Sequence, residues 1–113
     1  MLNNKEKALN ILGIAKRSKN LLIGTDTVVN GMQSGKVKVV ILANDSSSNT
    51  IDTFNNKCHY YNISLDLSFL SCEISQAIGK ENIKVVALCD QGLKESFEKL
   101  VKDGALNESK RNN

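Results

Sequence analysis

The chain has 113 residues, and 15 Lys and Arg against 12 Asp and Glu leave a formal net charge of +3. That length holds one hydrophobic core and leaves no room for a second. An apolar fraction of 41% is enough for a globular core, the absence of proline rules out a PxxP segment, and the absence of tryptophan argues against an aromatic platform for single strands.

Residues 5–16 read as a helix, with Ala8, Leu9, Leu12 and Ala15 on one apolar face. After RSKN, the run Leu21–Ile23 is a short strand. A second helix fits 26–34, burying Val28, Val29 and Met32, and Gly35 sits where a left-handed C-terminal cap belongs. The run VKVVILA, Val37–Ala43, is continuous and β-branched, as expected of a strand covered on both faces. A polar turn, 44–50, leads to a third helix in which Ile51, Phe54, Cys58 and Tyr61 recur at helical spacing and which ends at Asn62. Ile63–Leu65 is a short strand candidate. Leu67, Leu70, Ile74 and Ala77 predict a fourth apolar stripe on a helix that starts near Ser71 and ends at Gly79. Ile83–Leu88 is the second long strand of buried type, and Leu93, Phe97 and Leu100 mark a last helix over 91–102.

Helices and strands thus alternate through short loops. The expected fold class is α/β, a three-layer α/β/α sandwich around a small central mixed sheet. A single domain is expected over 1–104, with 105–113 as a frayed C-terminal tail.

Cys58, Cys72 and Cys89 are widely spaced, and with the single histidine, His59, they make no zinc pattern. They read as small buried hydrophobes in a reduced, cytoplasmic compartment, and neither a metal nor a cofactor is expected. The N-terminal charges lie too close to their apolar stretch for a signal peptide, and no apolar run approaches the ~18 residues of a membrane span.

No catalytic constellation stands out. The glycines form neither GxGxxG nor a P-loop. Asp45 and Asp90 follow the two strong strands, where turn-forming carboxylates are the simplest reading. The hydroxyls of 46–50 suit helix capping by Ser47 or Ser48. Charge is distributed more tellingly. Residues 1–40 hold seven basic side chains against two acidic ones, a net +5, and the remainder carries −2. Such a basic third attracts a polyanion. Lys16, Arg17 and Lys19 close the first helix, and Lys36 follows the second. Lys80 and Lys84 flank the loop before the last long strand. Gly24 permits close backbone approach, and the N–H groups of Thr25, Asp26 and Thr27 open a helix and suit a phosphate.

The segments LNILGIAKRSKNLLIGTDTVVNGMQSGKVKVVILANDSS, NKCHYYNI and AIGKENIKVVALCDQGL together resemble the RNA-binding ribosomal-protein family that includes archaeal L-seven-Ae, and more closely its bacterial branch. The resemblance spans residues 9–93. It implies an α/β/α sandwich and non-catalytic binding of structured RNA by a ribosome-associated or assembly-related protein. Ribosomal RNA is the expected partner, and ribosomal proteins are further candidates. Better-known members bind the kink-turn through the start of the second helix, Gly-x-Asn-Glu with a Lys three residues on, and through a loop before the last strand. Here the glycine falls on Gly24, the Asn on Asp26, the Glu on Thr27 and the Lys on Asn30. The loop falls on Gly79–Lys84. Only the glycine is kept, and the loop lacks the apolar–Pro feature of many members. These departures weigh against high-affinity kink-turn recognition and leave general RNA binding, which the basic cluster supports independently. The alternative they favour is a protein-interaction module of the translation machinery that has lost RNA contact.

Overall fold

Asn3 opens the first helix through a reciprocal pair of hydrogen bonds. The Glu6 N–H donates to Asn3 Oδ1 at 2.8 Å and the Asn3 N–H donates to Glu6 Oε1 at 3.3 Å. The computed structural model describes the backbone of residues 2–112 and the side chains of 2–102. Its elements are α1 (Asn4–Arg17), β1 (Leu21–Ile23), α2 (Thr25–Gln33), β2 (Val39–Leu42), α3 (Ser48–Tyr61), β3 (Ser64–Asp66), α4 (Ser71–Ala77), β4 (Val85–Leu88) and α5 (Gln91–Asn112).

One mixed sheet has the strand order β1-β4-β2-β3. β4 is antiparallel to both β1 and β2, and β2 is parallel to β3. The two central strands, β2 and β4, are fully buried, because their β-branched runs meet helices on both faces. The two-residue period of a strand sorts their side chains. Val39, Ile41, Val86 and Leu88 pack with Ala8, Leu12 and Ala15 of α1, Ile74 of α4 and Phe97 of α5. Val40, Leu42, Val85 and Ala87 pack with Val28 and Met32 of α2 and with Phe54 and Cys58 of α3. The expected three-layer α/β/α sandwich is therefore the observed one.

Several boundaries differ from the sequence expectation. Ser47 caps α3 as one of the two expected caps, with the Thr50 N–H donating to Ser47 Oγ at 3.2 Å, and the helix starts at Ser48, three residues before the apolar repeat begins. The fourth helix starts at Ser71 as expected but ends at Ala77, so only part of the apolar stripe from Leu67 through Ala77 is helical. Leu67 and Leu70 precede α4 and are exposed, and Phe69 between them is the buried residue, its ring 6.0 Å from that of Phe97. Cys72 is exposed, against the expectation of three buried cysteines, whereas Cys58 is buried and Cys89 half-buried. Cys72 lies two positions before the buried Ile74, roughly 200° round the helix. The last helix continues past 102. The tail expected over 105–113 falls in a stretch whose side chains lie outside the described residues.

Candidate nucleic-acid interface

The topology decides which basic residues share a surface. β1 leads to Gly24, whose N–H donates to the Val85 carbonyl at 3.0 Å. The Ala43 N–H, at the end of β2, donates to the Lys84 carbonyl at 2.7 Å. Gly24, the loop Gly79–Lys84 and the polar turn after β2 therefore meet at the end of the sheet where β4 begins.

Gly24 adopts φ +94°, a conformation that L side chains rarely take, and this turns β1 directly into α2. No side chain caps α2 at its N-terminus. The N–H groups of Thr25, Asp26 and Thr27 belong to its first turn, and a helix in that state offers donors and a positive dipole end to an anion. Asp26, Thr27 and Asn30 are exposed, and Asp26 and Asn30 lie one turn apart on one face of the helix.

The neighbouring loop is held at both ends. Ser75 Oγ of α4 accepts from the Ile83 N–H at 2.9 Å and donates to the Ile83 carbonyl at 3.2 Å. Lys16 Nζ donates to the Ile78 carbonyl at 2.7 Å, which satisfies an open carbonyl at the end of α4. Gly13 lets α1 approach that end, since a Cβ there would lie 3.2 Å from the Ala77 carbonyl and 3.6 Å from Arg17 Nη1. Lys16 and Arg17 thus border the Gly79–Lys80 turn, although they are some 60 residues away in sequence. Gly79 and Asn82 both have positive φ, 66° and 58°. They shape a tight exposed loop that presents Lys80, Glu81 and Lys84.

Asp45 ties this surface together. Its carboxylate accepts from the Ser71 N–H at 3.0 Å and from Ser71 Oγ at 2.8 Å, joining the end of β2 to the start of α4. The Ser71 hydroxyl, the Ser71 N–H and the nearby Lys84 charge hold its carboxyl below the usual range. Asp90 plays a local part at the opposite end of β4, where its carboxylate accepts the Leu93 N–H at 2.9 Å and caps α5.

Lys19 and Lys36 are not brought to Gly24. The Cys89 N–H donates to the Asn20 carbonyl at 2.9 Å and the Lys38 N–H to the Leu88 carbonyl at 2.8 Å. These bonds place Lys19, Lys36 and Lys38 at the far end of the sheet. Three further positions shape the interface: Ser71, Ser75 and Gly13. Ser71 acts through a contact 26 residues away and Ser75 through one across the loop to Ile83, and neither is encoded in helical or strand spacing. A glycine in mid-helix was the one available signal, because it costs stability unless something packs there.

Among the described residues, no group of three or more His, Cys, Asp or Glu side chains is arranged to hold a metal ion, and no helix is long and apolar enough to cross a membrane.

Two curated bacterial proteins are similar to this chain. The RNA-binding protein YlxQ of Enterococcus faecium is 34% identical over 98 residues, covering 87% of this chain and 94% of that protein. The RNA-binding protein YlxQ of Bacillus subtilis is 35% identical over 82 residues, covering 73% and 82%. Among solved structures, a protein of unknown function from Bacillus halodurans superposes with a TM-score of 0.81 at 32% identity, covering 85% of this chain and 97% of its own. The Giardia lamblia 15.5kD RNA binding protein shares the fold, with a TM-score of 0.72 at 14% identity, covering 88% of this chain and 86% of its own. Residues 6–99 match one family over nearly the whole sandwich, and the chain belongs to the Ribosomal protein L7Ae/L30e/S12e/Gadd45 family.

Proposed function

We propose that the protein binds structured RNA without catalysing a reaction, at the surface formed by Gly24, Thr25, Asp26, Thr27, Asn30 and the loop Gly79–Lys84. The observation that carries this reading is the uncapped start of α2, held against the beginning of β4 beside Lys84. Backbone N–H groups and lysines in that arrangement suit phosphates, and folded RNA is recognised largely through shape and backbone contacts. The curated relatives are named as RNA-binding proteins, and family membership supports the same partner class. Ribosomal RNA is the proposed target, met in the cytoplasm by a ribosome-associated or assembly-related protein, with ribosomal proteins as neighbours. Lys16 braces the start of the contact loop through its bond to the Ile78 carbonyl.

Crosslinking in cells followed by sequencing of the bound RNA tests the target. Enrichment of discrete ribosomal RNA segments is the expected result. Recovery of RNA in proportion to its abundance overturns the ribosomal assignment. Recovery of no RNA overturns RNA binding itself and favours the protein-interaction reading, for which the carboxylates of Asp26, Asp45 and Glu81 at this surface are the support.

A further inference from the structure

The far end of the sheet holds a second basic group that the candidate interface does not use. Three connections converge there. The α1–β1 turn carries Lys19, fixed at φ +62°, with its N–H donating to the Lys16 carbonyl at 3.2 Å. The α2–β2 turn carries Lys36, whose N–H donates to the Gly31 carbonyl at 2.9 Å just after Gly35 at φ +78°. Lys38 follows, pinned to Leu88. The third connection, β4–α5, carries Cys89, which is bonded to Asn20 and lies close enough to Lys36 and Lys38 for both charges to act on its thiol. Lys19 and Lys36 are exposed and Lys38 is half-buried. None of the three is in an ion pair among the described residues. Asp90, which directly follows Cys89, is turned toward its own helix.

The two ends differ in charge. Around Gly24, Lys80 and Lys84 share their surface with Asp26, Asp45 and Glu81. Around Cys89, the converging turns bring Lys19, Lys36 and Lys38 together with a single carboxylate, Asp90, which caps α5. β4 separates them. From Val85 to Leu88 the backbone advances about 10 Å at some 3.3 Å per residue, and lysine side chains extend outward from both ends. One phosphate cannot serve both.

We propose that the sheet end around Cys89, through Lys19, Lys36 and Lys38, is a second phosphate-contact surface, so that one molecule holds two separate stretches of RNA backbone. The proposal rests on the RNA reading above and adds to it a bridging geometry, in which the Gly24 end reads shape and the Cys89 end supplies net positive charge.

Lysine acetylation of the intact protein, with and without bacterial ribosomal RNA at low salt and read by mass spectrometry, tests it. Binding should slow acetylation of Lys19, Lys36 and Lys38 as well as of Lys80 and Lys84, and leave Lys99 on α5 unchanged. Protection of Lys80 and Lys84 alone overturns the second surface and leaves RNA binding intact. Protection of Lys19, Lys36 and Lys38 alone overturns the two-contact geometry. No protection anywhere, or equal slowing that includes Lys99, overturns both readings. A Lys36→Gln/Lys38→Gln variant gives an independent reading. Its thermal unfolding should match that of the parent protein, and its log–log salt slope for ribosomal RNA should be shallower by about 1.5, since each lost phosphate contact removes about 0.7–0.9. An unchanged slope in the folded variant contradicts the proposal.

Discussion

Lys16 shows how a basic residue in a candidate site can act on structure first. Its ammonium donates to the Ile78 carbonyl and closes the end of α4. Removing a charged donor from such a bond costs about 1 kcal/mol, with the exposure of the side chain keeping it at the low end. Lys16→Met is expected to lower the urea-unfolding free energy by about that amount, while Lys19→Met leaves it nearly unchanged. Equal values for the two variants would contradict the bracing role. Asp26 offers the opposite case. It stands exposed in the first turn of α2, beside the N–H groups proposed to meet phosphate. A carboxylate there favours the helix dipole but opposes an incoming anion. Asp26→Asn is expected to tighten RNA binding, an effect that shrinks as salt rises. Weaker binding by this variant would instead show that the carboxylate accepts from a base amino group.

At the scale of the element, α2 places the site because it lies directly on β1. Gly31 makes this possible. A Cβ at that position would run into Leu22 Cδ1 and press on Val37 Cγ2 at 3.1 Å. Gly31→Ala is expected to destabilise the fold by about 1–3 kcal/mol, even though alanine is the better helix former, because overpacking outweighs propensity. Denaturant titration checks the sign, and a stabilised variant would show that α2 sits less tightly. The same element shows what could be read from sequence. Gly24, the apolar side of α2 and the Gly35 cap were visible, since each follows from one local rule. The near contact of Gly31 with Leu22 was not, because it depends on how closely two elements pack. Likewise the start of α4 near Ser71 was legible, but the bond that holds it there, to Asp45 26 residues away, was not.

For the whole molecule, β2 and β4 were legible as the centre of the sheet because unbroken β-branched runs need cover on both faces. The basic third of the chain was also legible, but its division was not. Strand order sends Lys84 and Gly24 to one end of the sheet and Lys19, Lys36 and Lys38 to the other, and no count of charge along the sequence contains that information. Strand order also sets the pH response. Asp66, on edge strand β3, lines a cleft of about 600 Å³ with Lys94, Glu98 and Val101 of α5. Burial raises its carboxyl above the ordinary 3.8, with the Glu98 charge adding to the rise and the hydrogen bonds from Ser68 opposing it. The folded chain therefore holds this proton more tightly than the unfolded one, and the contribution to stability is lost as pH rises from 3.8 through the raised value. Asp66→Asn removes that loss. Thermal unfolding is expected to show the variant more stable than the parent at pH 7 and equal to it near full protonation. A variant less stable at pH 7 would mean that the ionised group is held favourably.

Binding of folded RNA through phosphate contacts is tested most directly by titrating the intact protein against ribosomal RNA fragments, a kink-turn hairpin and a scrambled duplex at several salt concentrations. At least one folded ribosomal fragment is expected to bind more tightly than the duplex. The log–log salt slope is expected to become shallower by about 0.7–0.9 for each of Lys80→Gln and Lys84→Gln. Binding of every RNA no better than the scrambled duplex at low salt, or slopes untouched by both substitutions, would contradict phosphate-mediated binding of folded RNA.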